Sequence, residues 1–547
     1  MLYRTPLRAN RARAAQAKSS IIKPPVGGWD ASTALAAMPD DRAVELVNWF
    51  PQPGYIEIRK GYNYQAWDID NDTTPVNTLM TWQGQASSKM FAAANTAIYD
   101  VTSEGVPSSV VTSLGSDKWQ WCNFTNSGST YLIIANGVNT VRAYDGSSWS
   151  VPAITGVTTS DLIHVNAHKK RIWFVQKDST KAWYLATDAI AGAATSFELG
   201  SVFSRGGYLM AMTTWTKDGG SGPDDYAVFI SSRGQCALYQ GTDPSSASTW
   251  ALVGVFDYAA PIGRRCFCKF GADVLLLTVE GVFPLSTTFA VDTASRSDSA
   301  ITRNIQNAVV RAGLSYGTNF GWELCVYARG TRLILNVPLA EATTAEQYVM
   351  NTLTGAWCKF NSMNANCWVV FNDRLFFGGN DGSVYEADVG AADVATPITA
   401  VGQCAYQAFR SPGNIKRFTM MQPLVTSSGQ NRPSLGISVD FVETSEMSSA
   451  SVEGASTIAT WDSASWDVDD WAGTLSQIND WVSIPAIGRF ASVKFQAQTG
   501  VEPTTADGSY WGVDEWGVGM WGGIDLESEE VMRLNGFVVL YEAGSYI

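Results

Sequence analysis

Tyr131-Leu132-Ile133-Ile134, a short polar turn, then Val141-Arg142-Ala143-Tyr144-Asp145-Gly146: an apolar strand, a reversal, and a second strand that closes on an aromatic. Upstream the unit stands at Met90-Phe91-Ala92 with Ile98-Tyr99-Asp100. Downstream it returns at Ile172-Trp173-Phe174-Val175 with Trp183-Tyr184-Leu185, and at Val228-Phe229-Ile230 with Ala237-Leu238-Tyr239. A looser copy is Val274-Leu275-Leu276-Leu277 with Val282-Phe283-Pro284-Leu285. Two more are Leu333-Ile334-Leu335 with Gln347-Tyr348-Val349-Met350, and Leu375-Phe376-Phe377 with Asp381-Gly382-Ser383-Val384-Tyr385. The copies lie about 40 to 60 residues apart, the scale of a four-stranded blade that cannot bury both faces alone. The period therefore predicts an all-β chain with a β-propeller of six to seven blades over residues 76–395. A stack of unrelated β-sandwiches, the competing arrangement, predicts no fixed period.

Composition agrees with many short strands. Charged residues are only 16%, while 49 Gly and 12% aromatics supply tight turns and pleated faces. Two wide gaps in the period read as insertions: a loop at Lys217–Asp225, and a helix over 297–313 with Ile301, Ile305, Ala308 and Val309 at helical spacing, a Ser299 cap and Gly313 at its end. After residue 395 the period stops but strand-like runs continue, so residues 396–547 are expected to form a separate β-sandwich-like domain.

The net charge of −14 excludes a surface that gathers nucleic acid or anionic membrane. Residues 1–28 are the exception, a basic arm with Arg4, Arg8, Arg11, Arg13, Lys18 and Lys23 ahead of the first acid, Asp30. Such an arm is either solvated or docks on an acidic neighbour in an assembly. It has no apolar centre that would make it a secretory signal, and no run reaches the ~20 apolar residues of a membrane helix. A soluble protein made in a cytoplasm is expected. In the C-terminal domain Trp461, Trp466 and Trp471 echo Trp511, Trp516 and Trp521. A spacing of five suits neither a strand face nor a helix face, so these arms are candidates for packing or subunit contact, or for stacking on sugar rings.

Reactive chemistry is poorly represented. The only histidines, His164 and His168, sit in a strand-like context without the Glu of a zinc-protease helix. Gly313-Leu314-Ser315-Tyr316-Gly317 matches a nucleophile elbow by letter, but a helix precedes it and a strand follows, the reverse of what the elbow needs. Asp68-Ile69-Asp70-Asn71-Asp72 lacks the glycine and the bidentate Glu of a calcium loop. The eight cysteines form no Cys-x-x-Cys pair and are expected as buried free thiols. Asp218, Asp224, Asp225, Asp381 and Glu386 are the acids from which a propeller glycosidase would draw a carboxylate pair. No catalytic, cofactor or metal residue is assigned, and no enzyme is expected.

One resemblance spans nearly the whole chain. Pro24-Pro25-Val26-Gly27-Gly28-Trp29, Ala36-Ala37-Met38-Pro39-Asp40-Asp41, Asn48-Trp49-Phe50-Pro51 and Glu57-Ile58-Arg59-Lys60-Gly61-Tyr62 form a lead-in over 29–75 and its approach. They resemble the start of the packaged-DNA stabilisation, or tail nozzle, proteins of short-tailed (podovirus-type) bacteriophages. Thr214-Trp215, Tyr239-Gln240-Gly241-Thr242-Asp243-Pro244, Ile262-Gly263-Arg264 and the ending Leu534-Asn535-Gly536-Phe537 with Tyr541-Glu542-Ala543-Gly544 are similar to that group in the same order. The resemblance implies a structural protein of the virion tail hub: a homohexameric tube below the portal and adaptor proteins, through which genomic DNA is retained and ejected. It implies docking of tail spikes or fibres and of a tail needle or plug, without cofactor or catalytic centre. Arg4, Arg8, Arg11, Arg13 and the six arm tryptophans are then the candidate assembly contacts. A glycan-hydrolysing tail depolymerase and a cellular propeller scaffold are the alternatives.

Overall fold

Each of the seven strand pairs forms the second and third strands of one blade. In the computed structural model, which describes residues 17–543 apart from 72–73, 219–222, 289–297, 429–431, 445, 450–475 and 501–530, Ile133 faces Ala143, Phe174 faces Trp183, and Phe377 faces Tyr385. Five blades stand as separate sheets: four are four-stranded, with inner strands Val76–Gln83, Gln120–Thr125, Leu162–His168 and Leu209–Asp218, and one is three-stranded, led by Phe267–Phe270. Two more are the ends of a fourteen-stranded sheet, led by Glu323–Tyr327 and Cys367–Phe371. Each inner strand packs on the next blade, and Cys367–Phe371 packs back on Val76–Gln83, so the ring of seven blades closes.

Closure uses a strand from outside the repeat. Tyr62–Ala66 is the fourth strand of the seventh blade, with Tyr385 against Tyr64 and Ala387 against Tyr62. The backbone of the last blade is thereby paired by a segment that precedes the first. Two insertions differ from expectation. The loop at 217–225 is an extension of the fourth blade's hairpin, paired as far as Asp218 with Pro223. The helix runs over Gln306–Tyr316, after a single tight turn at Arg303–Ile305, and Gly313 lies inside it. A Cβ at Gly313 would stand 3.2 Å from Ile262 Cδ1, so this glycine serves close packing rather than termination.

The propeller is inserted into the β-sandwich. One layer is built on Lys416–Ser427 and Met532–Ala543, joined by Tyr55–Ile58, Trp49–Gln52, Ala17–Ile22, Ser476–Ile478 and Val482–Gly488. The facing layer is Ser434–Val439, Ala491–Thr499, Thr396–Cys404 and Arg42–Val47. The segment expected as a lead-in thus supplies strands to both sandwich layers and the strand that closes the ring. Between the layers Phe495 meets the Trp49 ring at 5.5 Å and the Phe537 ring at 5.3 Å. One apolar cluster continues from there into blades five, six and seven, so the two bodies share a core.

Where the chain crosses between them, a polar knot is buried. Arg59, just before the closing strand, donates to Asp393 Oδ1 at 2.7 Å and Oδ2 at 2.6 Å, and its Nε donates to Asn48 Oδ1 at 3.0 Å. Asn48 holds a left-handed φ of 57°, tolerable for Asn, and its Nδ2 donates to Thr399 O at 2.8 Å. Two glycines let backbones approach here: a Cβ on Gly28, at φ 80°, would stand 2.5 Å from Trp357 O, and one on Gly61 would overlap Ala392 O.

Removing one partner of a buried, hydrogen-bonded ion pair costs about 3–5 kcal/mol, whereas replacing both by apolar groups costs far less. Arg59→Met is therefore expected to lower the melting temperature sharply, and Arg59→Met with Asp393→Leu to recover much of the loss. Equal melting temperatures for the single and double variants would show that the knot does not hold the junction.

Candidate functional site

The candidate assembly contacts Arg4, Arg8, Arg11, Arg13, Trp461, Trp466, Trp471, Trp511, Trp516 and Trp521 all lie outside the described residues. The residues that flank the tryptophan segments are described, and they converge. Ser476 and Met532 are both cross-strand partners of Ser427, one on each side. Leu435 bridges Ser448, and its neighbour Ser434 pairs with Gln496, close to the end of the strand that leads to Gly500. Both segments therefore leave and rejoin the fold at one end of the sandwich. Sequence spacing alone could not reveal this, because the pairing partners are far apart in the chain.

The carboxylates do not converge. Asp225, in blade four, accepts from Thr216 Oγ1 at 2.8 Å and pairs with Lys169 Nζ at 2.9 Å. Asp381 and Glu386 belong to blade seven, across the ring, where they are held by Tyr385 and Arg374 respectively. The side chains of Asp218 and Asp224 are outside the described ones. Ser315 is exposed in the last turn of the helix, not at a strand-to-helix elbow. All eight cysteines are free; five are buried, and Cys122, Cys268 and Cys325 are half-buried on inner strands. Burial pushes the Cys122, Cys266, Cys268, Cys367 and Cys404 thiols up to about 12, so none is a nucleophile at neutral pH.

The polar chemistry that the fold does gather lies on the propeller axis, and sequence reading missed it. Arg265 enters ahead of the inner strand of blade five and reaches across. Its Nη2 donates to Asn77 O and Thr78 Oγ1, each at 2.9 Å, and its Nη1 lies 3.4 Å from Glu323 Oε2. Glu323 in turn accepts from the Trp368 backbone N–H at 3.0 Å, and burial pushes its carboxyl up against the pull of Arg265. Phe320 lies 5.1 Å from the Arg265 guanidinium and 4.4 Å from Lys118 Nζ, which pairs with Glu341 at 2.8 Å. Side chains of blades one, five and six and a backbone N–H of blade seven are thus tied together where their inner strands begin. The arrangement is a brace: every charged group in it is spent on another part of the same chain.

The two histidines brace a second joint. They sit on the strand Leu162–His168, four apart, and both face the inner strand of blade four. His164 Nε2 donates to Met212 O at 2.8 Å. His168 Nδ1 lies 3.1 Å from Thr214 Oγ1, whose own hydroxyl donates to Ala167 O, so the histidine is the donor. Among the described residues no group of three or more His, Cys, Asp or Glu is placed to hold a metal ion.

No protein-family model matches the chain, and no curated protein matches it. Among solved structures, it is similar to the computationally designed Ika8 protein at 12% identity and TM-score 0.34, over 63% of this chain and 96% of that one. It is similar to BBS1N in complex with ARL6DN at 10% identity and TM-score 0.37, over 60% and 98%. Saccharomyces cerevisiae Sqt1 matches at 11% identity and TM-score 0.35, over 60% and 99%. The fold assignment rests on the strand order above.

Burial lowers both imidazoles from 6.5 to about 4. Between those values the unfolded chain binds more protons than the folded one, so stability falls as pH drops from 6.5 to 4 and these groups cost nothing further below that. The loss is on the order of 3 kcal/mol per histidine. Melting temperature followed from pH 7 to pH 5, above the ordinary carboxylate range, is expected to fall in the native chain and to stay nearly level in His164→Gln with His168→Gln. Parallel slopes would show that the blade three–four joint does not titrate.

Proposed function

We propose that this chain is a structural subunit of a short phage tail, a nozzle or hub protein that assembles as a homohexameric tube below the portal and adaptor proteins. The observation that carries the reading is where the residues of the resemblance lie. Gly28, Trp49, Arg59, Gly61 and Tyr62 are the ones that join the sandwich to the propeller and close the ring. Thr214 receives His168, Asp243 pairs with Arg171 at 3.6 Å, and Leu534, Phe537 and Tyr541 are buried in the sandwich. A set of motifs spent on joints is what a load-carrying scaffold needs, and a rigid disc fused to a sandwich through one core supplies it.

On this reading the tube retains and releases genomic DNA without reacting with it, and the acidic balance of the chain lets a polyanion slide. Tail spikes or fibres and a needle or plug dock on its outside. The end of the sandwich from which both tryptophan segments leave is a fitting place for them, since large aromatics dominate the energetics of protein contacts. The protein is made in the bacterial cytoplasm, works in the virion and needs no cofactor.

Native mass spectrometry and negative-stain imaging of the purified full chain test the proposal. Six copies in a ring are expected, alone or with portal and adaptor proteins added. A chain that stays single and releases sugars from capsular glycan would be a depolymerase instead; one that stays single and inert would fit a cellular scaffold.

A further inference from the structure

The outer face of one sandwich layer breaks the rule that such a face turns polar to water. Strand register places its side chains in rows. Met420 lies beside Ser483, Leu540 and Ser19, while Gln422 lies beside Val538 and Ile21, with Trp481 next to it at the head of its strand. Ile487 adjoins Arg417, whose other neighbour is Glu542. The alternate residues Phe418, Met421, Val539 and Tyr541 point into the core. The outward set is apolar and open: Ile21 is 69% exposed, Ile487 65%, Trp481 40% and Met420 37%, and Val538 and Leu540 are half-buried between them.

We infer that this face is covered by a second copy of the chain, and that it is a contact through which the ring of the preceding section is built; the inference rests on that reading. Two features favour a copy of the chain as the occupant. The first is size. Four strands about 4.8 Å apart, two of twelve residues flanked by one of six and one of seven, make a face about 15–20 Å by 20–25 Å that the central pair extends to about 40 Å, a large share of the roughly 800 Å² that each partner of a stable complex gives up. The second is charge. Copies that each carry −14 repel one another over most of their surface. Among the described residues of this face the charges fall in pairs, Arg417 beside Glu542 and Arg533 3.6 Å from Glu57, so the face adds little of its own to that repulsion.

Met420→Glu with Ile487→Glu in the full chain puts two charges on each face without touching the core; Met420→Thr with Ile487→Thr is a milder pair suited to strands. Native mass is read over a hundredfold range of concentration, with near-UV circular dichroism as the folding readout. The expected result is that the native chain forms the ring, the Glu pair is a single folded copy, and the Thr pair associates at least tenfold more weakly. A ring that survives the Glu pair overturns the inference and leaves the nozzle reading standing; another partner, or residues 450–475 or 501–530 of the same chain, would then cover the face. A native chain that never forms a ring overturns both.

Discussion

The ion pair of Arg59 with Asp393 is where the architecture is decided. The chain enters the propeller through Tyr62–Ala66 and leaves it after Val384–Ala387, and these two strands pair with each other. Arg59 stands just upstream of the first and Asp393 just downstream of the second. Their bidentate contact therefore pins the two ends of a ring about 330 residues round, and only a planar guanidinium can grip both carboxylate oxygens while its Nε serves Asn48. Such a pair contributes little net stability once desolvation is counted. Its value is positional: a seventh blade closed one residue out of register would turn its faces inside out, and would leave both charges buried without partners.

The axis repeats the principle in another form. A ring of seven sheets leaves a polar gap where the inner strands diverge, and backbone groups there must be satisfied. Arg265 fills that need at one mouth by donating to Asn77 O and Thr78 Oγ1 and by lying near Glu323. Phe320 lies within cation–π distance of both Arg265 and Lys118 and adds their attraction to its ring.

The blades were legible in sequence and their closure was not, for one reason. The second and third strands of a blade are buried on both faces, so Leu333-Ile334-Leu335 and Leu375-Phe376-Phe377 read as unbroken apolar runs. Inner strands face the polar axis and carry residues such as Asn123 and Asn166, which blur the pattern, and outer strands can be as short as Trp149–Ser150. Tyr62–Ala66 alternates aromatic and polar residues over its first four positions, but its burial does not follow that alternation, its partner lies more than 300 residues away and no local signal points to it. Arg265 and Glu323 carry no local signal that sets them apart, because their burial is created only when distant blades meet. The helix was recognised by Ile305 and Val309, which are buried as expected, while its limits were misread because Gly313 answers to packing against Ile262.

Insertion of the propeller into the sandwich couples the two in time. The strands Arg42–Val47 and Thr396–Cys404 are neighbours in one sandwich layer, and Tyr55–Ile58 pairs with Met532–Ala543 in the other. Neither layer can be completed until the intervening chain has been made and its ends brought together. Pairings at such separation carry a large loop-closure cost that compact blades reduce, because a folded ring delivers Arg59 and Asp393 side by side. Each sandwich layer thus contains strands from both sides of the propeller, and its completion requires the two ends of the ring to meet. The sandwich layers, and with them the apolar sheet face, are therefore made of segments that lie on either side of the ring in sequence.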